Sequence, residues 1–319
     1  VRKTEKSKMK IVFFGTPHLA ACILEKLIAS RHEVIGIVTQ PDKASGRGKN
    51  ISFSPAKETA LAAGIRVLQP AKISDSAALD EIESLGADLH VVAAYAQKLP
   101  NRLLEMAPLG CINVHPSLLP KYRGAAPLMA AILNGDEKSG VTIMKMAEKM
   151  DTGDILMQEE MKLAPDETKA SIEEKAIELG GRLLIETIDR IEAGTITGVP
   201  QDDSMSTYVK QIGKEDGLID FNEDAASIER KTRAFDPWPG TYTYLDGKTF
   251  KICSARVVPY EDGETHEPGT VENVSKKAFM IAAKDAYLEP LTVQLEGKKK
   301  MTVEEFLRGR KIEQGTKLG

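Results

Sequence analysis

Residues 88–120 read DLHVVAAYAQKLPNRLLEMAPLGCINVHPSLLP, and this stretch decides the fold. DLHVVAAY is a nearly unbroken apolar run of strand length, a short helical pattern follows near Asn101, and CINVH is a second apolar run. Two such strands with a helix between them make a βαβ unit, whose strands lie parallel in a sheet covered by helices.

The same alternation extends outward. KIVFF (10–14) precedes a helix from His18, EVIGIVT (33–39) precedes a helix opening at Ser54-Pro55, and CINVH (111–115) precedes one from Pro127. Thr16-Pro17 and Ser54-Pro55 place an N-cap residue before a first-turn proline, while Gly64, Gly135 and Gly194 sit where helices should stop. The expectation is an α/β fold, a Rossmann-like and mostly parallel sheet, running from Met9 to about Thr195.

Composition changes after Thr195. TGVPQDDSMST (197–207) reads as a polar linker. One helical stretch follows, DAASIERKTRAF (224–235). Then come short strands, TYTYL and KTFKICSARVV joined by an Asp246-Gly247 hairpin signal, with TVENV, AFMIAA and LTVQL after them. They suggest a small β-barrel, closed by a helix that Thr302 and Glu305 start in capping-box spacing. The division expected is 9–195 for a catalytic domain, 196–207 for a linker and 208–319 for a second domain.

Bulk properties narrow the class. Hydrophobic residues make up 42% and charged residues 28% of the 319 positions, as in a water-soluble globular protein. No apolar run approaches the roughly 18 residues of a membrane span, so no membrane partner is expected. Cys22, Cys111 and Cys253 form neither a CxxC pair nor a disulfide framework, which suits a reducing, cytoplasmic setting. The leading VRKTEKSK lacks the apolar core of a secretory signal, and Met9 reads as a natural start. A net charge of −4 argues against indiscriminate coating of nucleic acid but leaves room for a local basic surface.

Chemistry concentrates where CINVH ends. Residues two apart on a strand share a face, so Asn113 and His115 stand side by side, and Pro116 ends the ladder. Carboxyl ends of strands are where open α/β sheets bind ligands, and an amide beside an imidazole can stabilise one developing oxyanion. A histidine at a strand end is also commonly just a polar group satisfied nearby. MDTGDI (150–155) supplies a carboxylate, Asp151, that could orient such a histidine, although acids beside glycine often serve only as turn residues. Spacing alone does not bring Asp151 to His115.

INVHPSLLPKYRGAAP, with GVTIM and DTGDIL downstream, resembles the 10-formyltetrahydrofolate-dependent formyltransferases. FFGTP, TQPDKASGRGK, AYAQKLP and AFDPWPG narrow the resemblance to the methionyl-tRNA formyltransferase family, over essentially everything from Met9 onward. The chain departs from the family pattern with Pro116 after the histidine, Ala44 where proline is common, and Ala96 where glycine is common. The resemblance implies formyl transfer from 10-formyltetrahydrofolate to the methionine amine of initiator methionyl-tRNA, with Asn113, His115 and Asp151 catalytic and no metal. It implies that Ser117, Leu118, Leu119 and Pro120 wall the folate site. It also implies that the basic loop holding Lys43, Arg47 and Lys49 meets the tRNA, helped by an OB-like second domain. In that domain Lys298, Lys299 and Lys300 could add phosphate contacts or simply form a solvated turn. A monomer is expected.

Two rival readings are a formyltransferase for glycinamide ribonucleotide or an amino sugar nucleotide, and a nucleotide-binding module built around FFGTP. A glycinamide ribonucleotide formyltransferase would be expected to lack the second domain, and the enzymes for both rival acceptors to lack the basic insertion. The module lacks two of the three glycines of a dinucleotide fingerprint.

Overall fold

The computed structural model describes residues 8–45, 50–261 and 265–319, which form two compact units. The first holds the described residues up to Pro127 together with Lys138–Lys162 and Glu173–Val209; the second holds Leu128–Glu137, Leu163–Ile172 and Lys210–Gly319.

In chain order the first unit begins with β1 (Lys10–Gly15), α1 (His18–Ile28), β2 (Glu33–Val38), β3 (Lys43–Ser45), β4 (Asn50–Ser52), α2 (Pro55–Ala62), β5 (Val67–Leu68) and α3 (Ser76–Glu83). It continues with β6 (Leu89–Ala93), α4 (Asn101–Met106), β7 (Cys111–His115) and β8 (Arg123–Gly124). After α5 (Pro127–Leu133), which lies in the second unit from Leu128 on, come β9 (Lys138–Lys145), β10 (Ile155–Lys162), α6 (Lys169–Glu192) and β11 (Tyr208–Val209). Seven strands make one sheet in the order β10-β9-β7-β6-β1-β2-β5. The five strands from β7 to β5 pair in parallel, and β9 and β10 extend that sheet antiparallel.

The apolar runs are explained by burial on both faces. Val12, Phe14, Val38 and Val92 pack with Leu79, Ile82, Leu99 and Leu103 on one face. On the other face α6 comes so close that a Cβ on Gly180 would stand 3.1 Å from Val114 and 3.4 Å from Ile23. Ser54 caps α2, its hydroxyl accepting the Lys57 N–H at 3.2 Å, as its sequence position suggests. Thr16 does not cap α1. Pro17 takes the N-cap position, and the Thr16 hydroxyl accepts instead from Gln40 N and Thr39 Oγ1, both at 3.3 Å, tying β1 to the end of β2.

The second unit is built on α7 (Ala225–Phe235), β12 (Tyr242–Leu245), β13 (Lys248–Pro259), β14 (Val271–Glu272), β15 (Met280–Ala282), β16 (Ala286–Leu295), β17 (Met301–Thr302) and α8 (Val303–Gly309). Its antiparallel sheet runs β12-β13-β16-β15-β14, with β17 on β16, and curls around Ile228, Phe250, Ile252, Phe279, Leu288 and Phe306. Asp246 and Gly247 both adopt positive φ, 51° and 71°, the geometry a two-residue hairpin needs. The register slips between Ile252 and Ala255 opposite Pro290, which has no N–H to give the ladder. Thr302 and Glu305 form the expected capping box. Among the described residues no helix is long and apolar enough to cross a membrane.

Candidate active site

β7 places Asn113 beside Val92 of β6 and His115 beside Thr142 of β9, at the carboxyl end of the parallel sheet. Both side chains are nearly buried, at 9% and 4% exposure. His115 Nε2 lies 3.0 Å from the Tyr122 carbonyl oxygen; since a carbonyl only accepts, the ring hydrogen in this contact is on Nε2. The other ring nitrogen, Nδ1, faces Asp151 Oδ2 at 3.8 Å. That oxygen also accepts the Gly124 N–H at 2.8 Å. The fold therefore brings Asp151 to His115, a meeting that sequence spacing alone left open. No protein group among the described residues hydrogen-bonds the Asn113 amide, so a nearly buried donor is left for something else.

The segment after β7 is fixed by its own backbone and by two polar side chains of the antiparallel extension. Ser117 N donates to the His115 carbonyl at 2.9 Å and Ser117 Oγ to the Lys121 carbonyl at 2.7 Å. Thr142 Oγ1 donates to the Ser117 carbonyl at 2.6 Å and accepts from Leu119 N at 3.2 Å. Gln158 Nε2 donates to the Leu119 carbonyl at 2.9 Å and to Thr142 Oγ1 at 2.8 Å. Ser117 and Leu119 are consequently buried, and the Leu119–Pro120 peptide is cis. Leu118 rests over Gly140, where an added Cβ would come within 2.4 Å of Leu118 Cδ2. Leu118 and Pro120 stay partly open.

Several residues that shape the site carry no sequence signal of their own. Thr142 is visible only as part of GVTIM, and Gln158 sits on a strand that alternates too weakly to stand out. Arg123 and Gln201 are a second case. Gln201 and Asp203, in the passage expected to be a linker, hydrogen-bond the Arg123 guanidinium, and the chain runs on from that passage into β11, which pairs in parallel with β8. Residues 201–209 thus pack on the first unit. Polarity alone does not separate side chains that face water from side chains that serve one buried cation.

At the end of β6, Ala94 and Ala96 take positive φ, 49° and 68°, and the Tyr95 carbonyl between them accepts from Gln40 Nε2 at 2.9 Å. Burial pushes the Tyr95 phenol up to about 12. Of the basic loop, Lys43 contributes backbone to β3, opposite Ser52 of β4; its side chain, Arg47 and Lys49 lie outside the described residues. In the second unit Lys298, Lys299 and Lys300 are exposed, with Lys300 Nζ 3.1 Å from Asp236 Oδ2. Among the described residues no group of three or more His, Cys, Asp or Glu is arranged to hold a metal ion.

Comparison with known proteins identifies the family. The Formyl transferase family model matches residues 9–188, and the model of the formyl transferase C-terminal domain matches residues 211–311. The methionyl-tRNA formyltransferase of Lachnospira eligens is 49% identical over 98% of this chain and 100% of its own length. Among solved structures, a HypX variant from Aquifex aeolicus superposes with a TM-score of 0.65 at 20% identity, over 94% of this chain and 49% of that one. This chain therefore spans about half the length of HypX. WlaRD, a sugar 3N-formyl transferase solved in the presence of dTDP and 5-N-formyl-THF, superposes with the same TM-score of 0.65 at 20% identity, over 92% of this chain and 100% of that one. At such identities the superpositions speak for the fold alone. The family follows from near-half identity along the full length together with both domain matches, and this chain belongs to the methionyl-tRNA formyltransferases.

Proposed function

We propose that the chain transfers the formyl group of 10-formyltetrahydrofolate to the α-amino group of methionine on initiator methionyl-tRNA, for translation initiation. The observation that carries the reading is the unpaired Asn113 amide standing with the His115–Asp151 pair at the end of β7.

The reaction forms a bond from the methionine nitrogen to the formyl carbon and breaks the bond from that carbon to the folate nitrogen. The amine gives up a proton and the folate nitrogen takes one. A free α-amino group titrates near ~8 and an adjacent ester lowers it, so the attack needs no strong base. What it needs is a partner for the negative charge that grows on the formyl oxygen, and a carrier for the proton. The Asn113 amide donates to that oxygen and positions the amine. His115 assists at the oxygen and carries the proton, with Asp151 orienting the ring and balancing its charge. The scheme uses no metal.

Ser117, Leu118, Leu119 and Pro120 are assigned to the folate wall. Its stiffness is supported by the bonds from Thr142 and Gln158, and its apolar surface by the two leucines. Lys43, Arg47 and Lys49 are assigned to the tRNA acceptor end, and residues 208–319 to further tRNA contact, after a catalytic part at 9–195 and a connection at 196–207. The protein acts in the cytoplasm as a monomer.

Formylation assays with charged initiator tRNA, glycinamide ribonucleotide and an amino sugar nucleotide as competing acceptors test the reading. Formyl transfer to the tRNA alone is expected. Transfer to either small acceptor in its place overturns it.

A further inference from the structure

Arg123 is among the largest fully buried side chains, at 1% exposure. A buried guanidinium is tolerated only when its donors are bonded and its charge is met. Here Nε and Nη2 grip Gln201 Oε1 at 3.1 and 2.8 Å, Nη1 donates to the Tyr208 hydroxyl at 3.0 Å, and Nη2 reaches Asp203 Oδ1 at 2.7 Å. With its oxygen held this way, the Gln201 amide nitrogen points at another segment, donating to the carbonyls of Asp151 at 2.9 Å and Gly153 at 2.8 Å.

The backbone around Arg123 is bolted to the same passage. Tyr122 N donates to Thr207 Oγ1 at 2.8 Å, Arg123 N to the Thr207 carbonyl at 2.8 Å, and Ala125 N to the Val209 carbonyl at 3.1 Å. Tyr122 and Asp151 both sit in the left-handed region, at φ 60° and 54°. Such a conformation is strained for a non-glycine residue and persists where the surroundings over-determine it. These two strained residues are the ones whose oxygens face the two ring nitrogens of His115.

We infer that Arg123 and Gln201 are positioning residues for the reaction, a buried strut that fixes the Tyr122 carbonyl and the Asp151 carboxylate on the two sides of His115. The inference rests on the proposed roles of His115 and Asp151. The 3.8 Å between His115 Nδ1 and Asp151 Oδ2 is longer than a hydrogen bond, so a small displacement of the 151–153 turn decides whether the pair can close during the reaction.

Gln201→Glu isolates the strut. A glutamate still offers oxygens to the Arg123 guanidinium, but an ionised carboxylate cannot donate to the Asp151 and Gly153 carbonyls. In formylation of methionyl-tRNA its kcat should fall by about tenfold to a hundredfold, with KM for tRNA and folate changed by no more than about twofold. The limb of the pH–rate profile that reports the His115–Asp151 pair should move. Gln201→Ala should act in the same direction and also lower the melting temperature. Asp151→Asn and His115→Ala, assayed alongside, separate the two levels of the argument. If they lose activity while Gln201→Glu keeps the wild-type kcat and pH profile, the strut is overturned and the site reading stands. If they are also as active as wild type, the site reading itself fails. The shape of a pH profile does not depend on the amount of folded enzyme. A Gln201→Glu protein with reduced yield or stability and an unmoved profile therefore makes Gln201 merely structural and overturns the inference as well.

Discussion

Asp151 Oδ2 stands 3.8 Å from His115 Nδ1 while accepting the Gly124 N–H at 2.8 Å, so a backbone amide aims one carboxylate oxygen at the imidazole. Asp151→Asn keeps an oxygen for Gly124 and removes the negative charge opposite the ring. Its kcat for formyl transfer should drop by at least about a hundredfold, the usual weight of an acid–base partner. Asn113→Ala should raise the barrier by about 3 kcal/mol as a lost oxyanion donor. Single-turnover rates on folded protein measure both; near-normal turnover in either variant removes that residue from the scheme.

Gly124 has φ 112°, and a Cβ there would stand 2.2 Å from the Val209 carbonyl oxygen. Gly124→Ala therefore meets backbone on the facing strand in a conformation an L side chain avoids. A loss of about 3 kcal/mol is expected. Urea unfolding gives the value, and a variant within about 0.5 kcal/mol of wild type, the range of a neutral surface change, would show that β8 and β11 separate freely.

Ala96, at φ 68°, occupies a position where the family resemblance leads one to expect glycine. Ala96→Gly relieves the left-handed strain, partly offset by greater freedom in the unfolded chain. The net gain should be about 0.5–1 kcal/mol. A fall in the unfolding midpoint would mean that the Ala96 methyl makes packing contacts worth more than the strain.

His90 is buried in β6 at 1% exposure, with Nδ1 3.2 Å from the Leu103 carbonyl. Burial lowers its pKa from 6.5 to about 4, against the opposing pull of the Leu103 carbonyl. Between those two values the unfolded chain binds more protons than the native protein. The neutral ring's contribution is thus whole above about pH 6.5 and is lost as the pH falls toward 4, by up to about 3 kcal/mol. Unfolding free energies at pH 7 and pH 4.5 should decline less steeply in His90→Gln than in wild type. Parallel slopes would assign the acid sensitivity to other groups.

For the tRNA side, Arg47→Ala should raise KM for charged tRNA and reduce the slope of log affinity against log salt by about 1, as for one lost phosphate contact. An unchanged KM for tRNA takes Arg47 out of the interface.

The sheet, the order of its central elements and the hairpin of the second unit were legible in the chain because each has a local cause. Strands buried on both faces must be apolar throughout, as KIVFF and CINVH are. Ser54 before Pro55, Asp246 before Gly247, and Thr302 three residues before Glu305 act within one turn, so their neighbours in sequence suffice to read them. Strand β10, ILMQEEMK, at the sheet's edge, escaped such reading, its pattern being half exposed. The Thr16 hydroxyl was misleading because its partners came from Thr39 and Gln40, just beyond the end of β2.

At the site the division is sharper. The period of a strand puts Asn113 and His115 on one face, and the proline after them ends it, so that pairing follows from local geometry alone. The approach of Asp151 does not, since it depends on the antiparallel turn after β9, on the Gly124 amide and on contacts made by Gln201. Nor could the letters TGVPQDDSMST tell solvent-facing polarity from polarity spent on a buried guanidinium. Hydrogen bonds between segments distant in sequence have no local signature, and only the folded chain decides which of its polar groups meet.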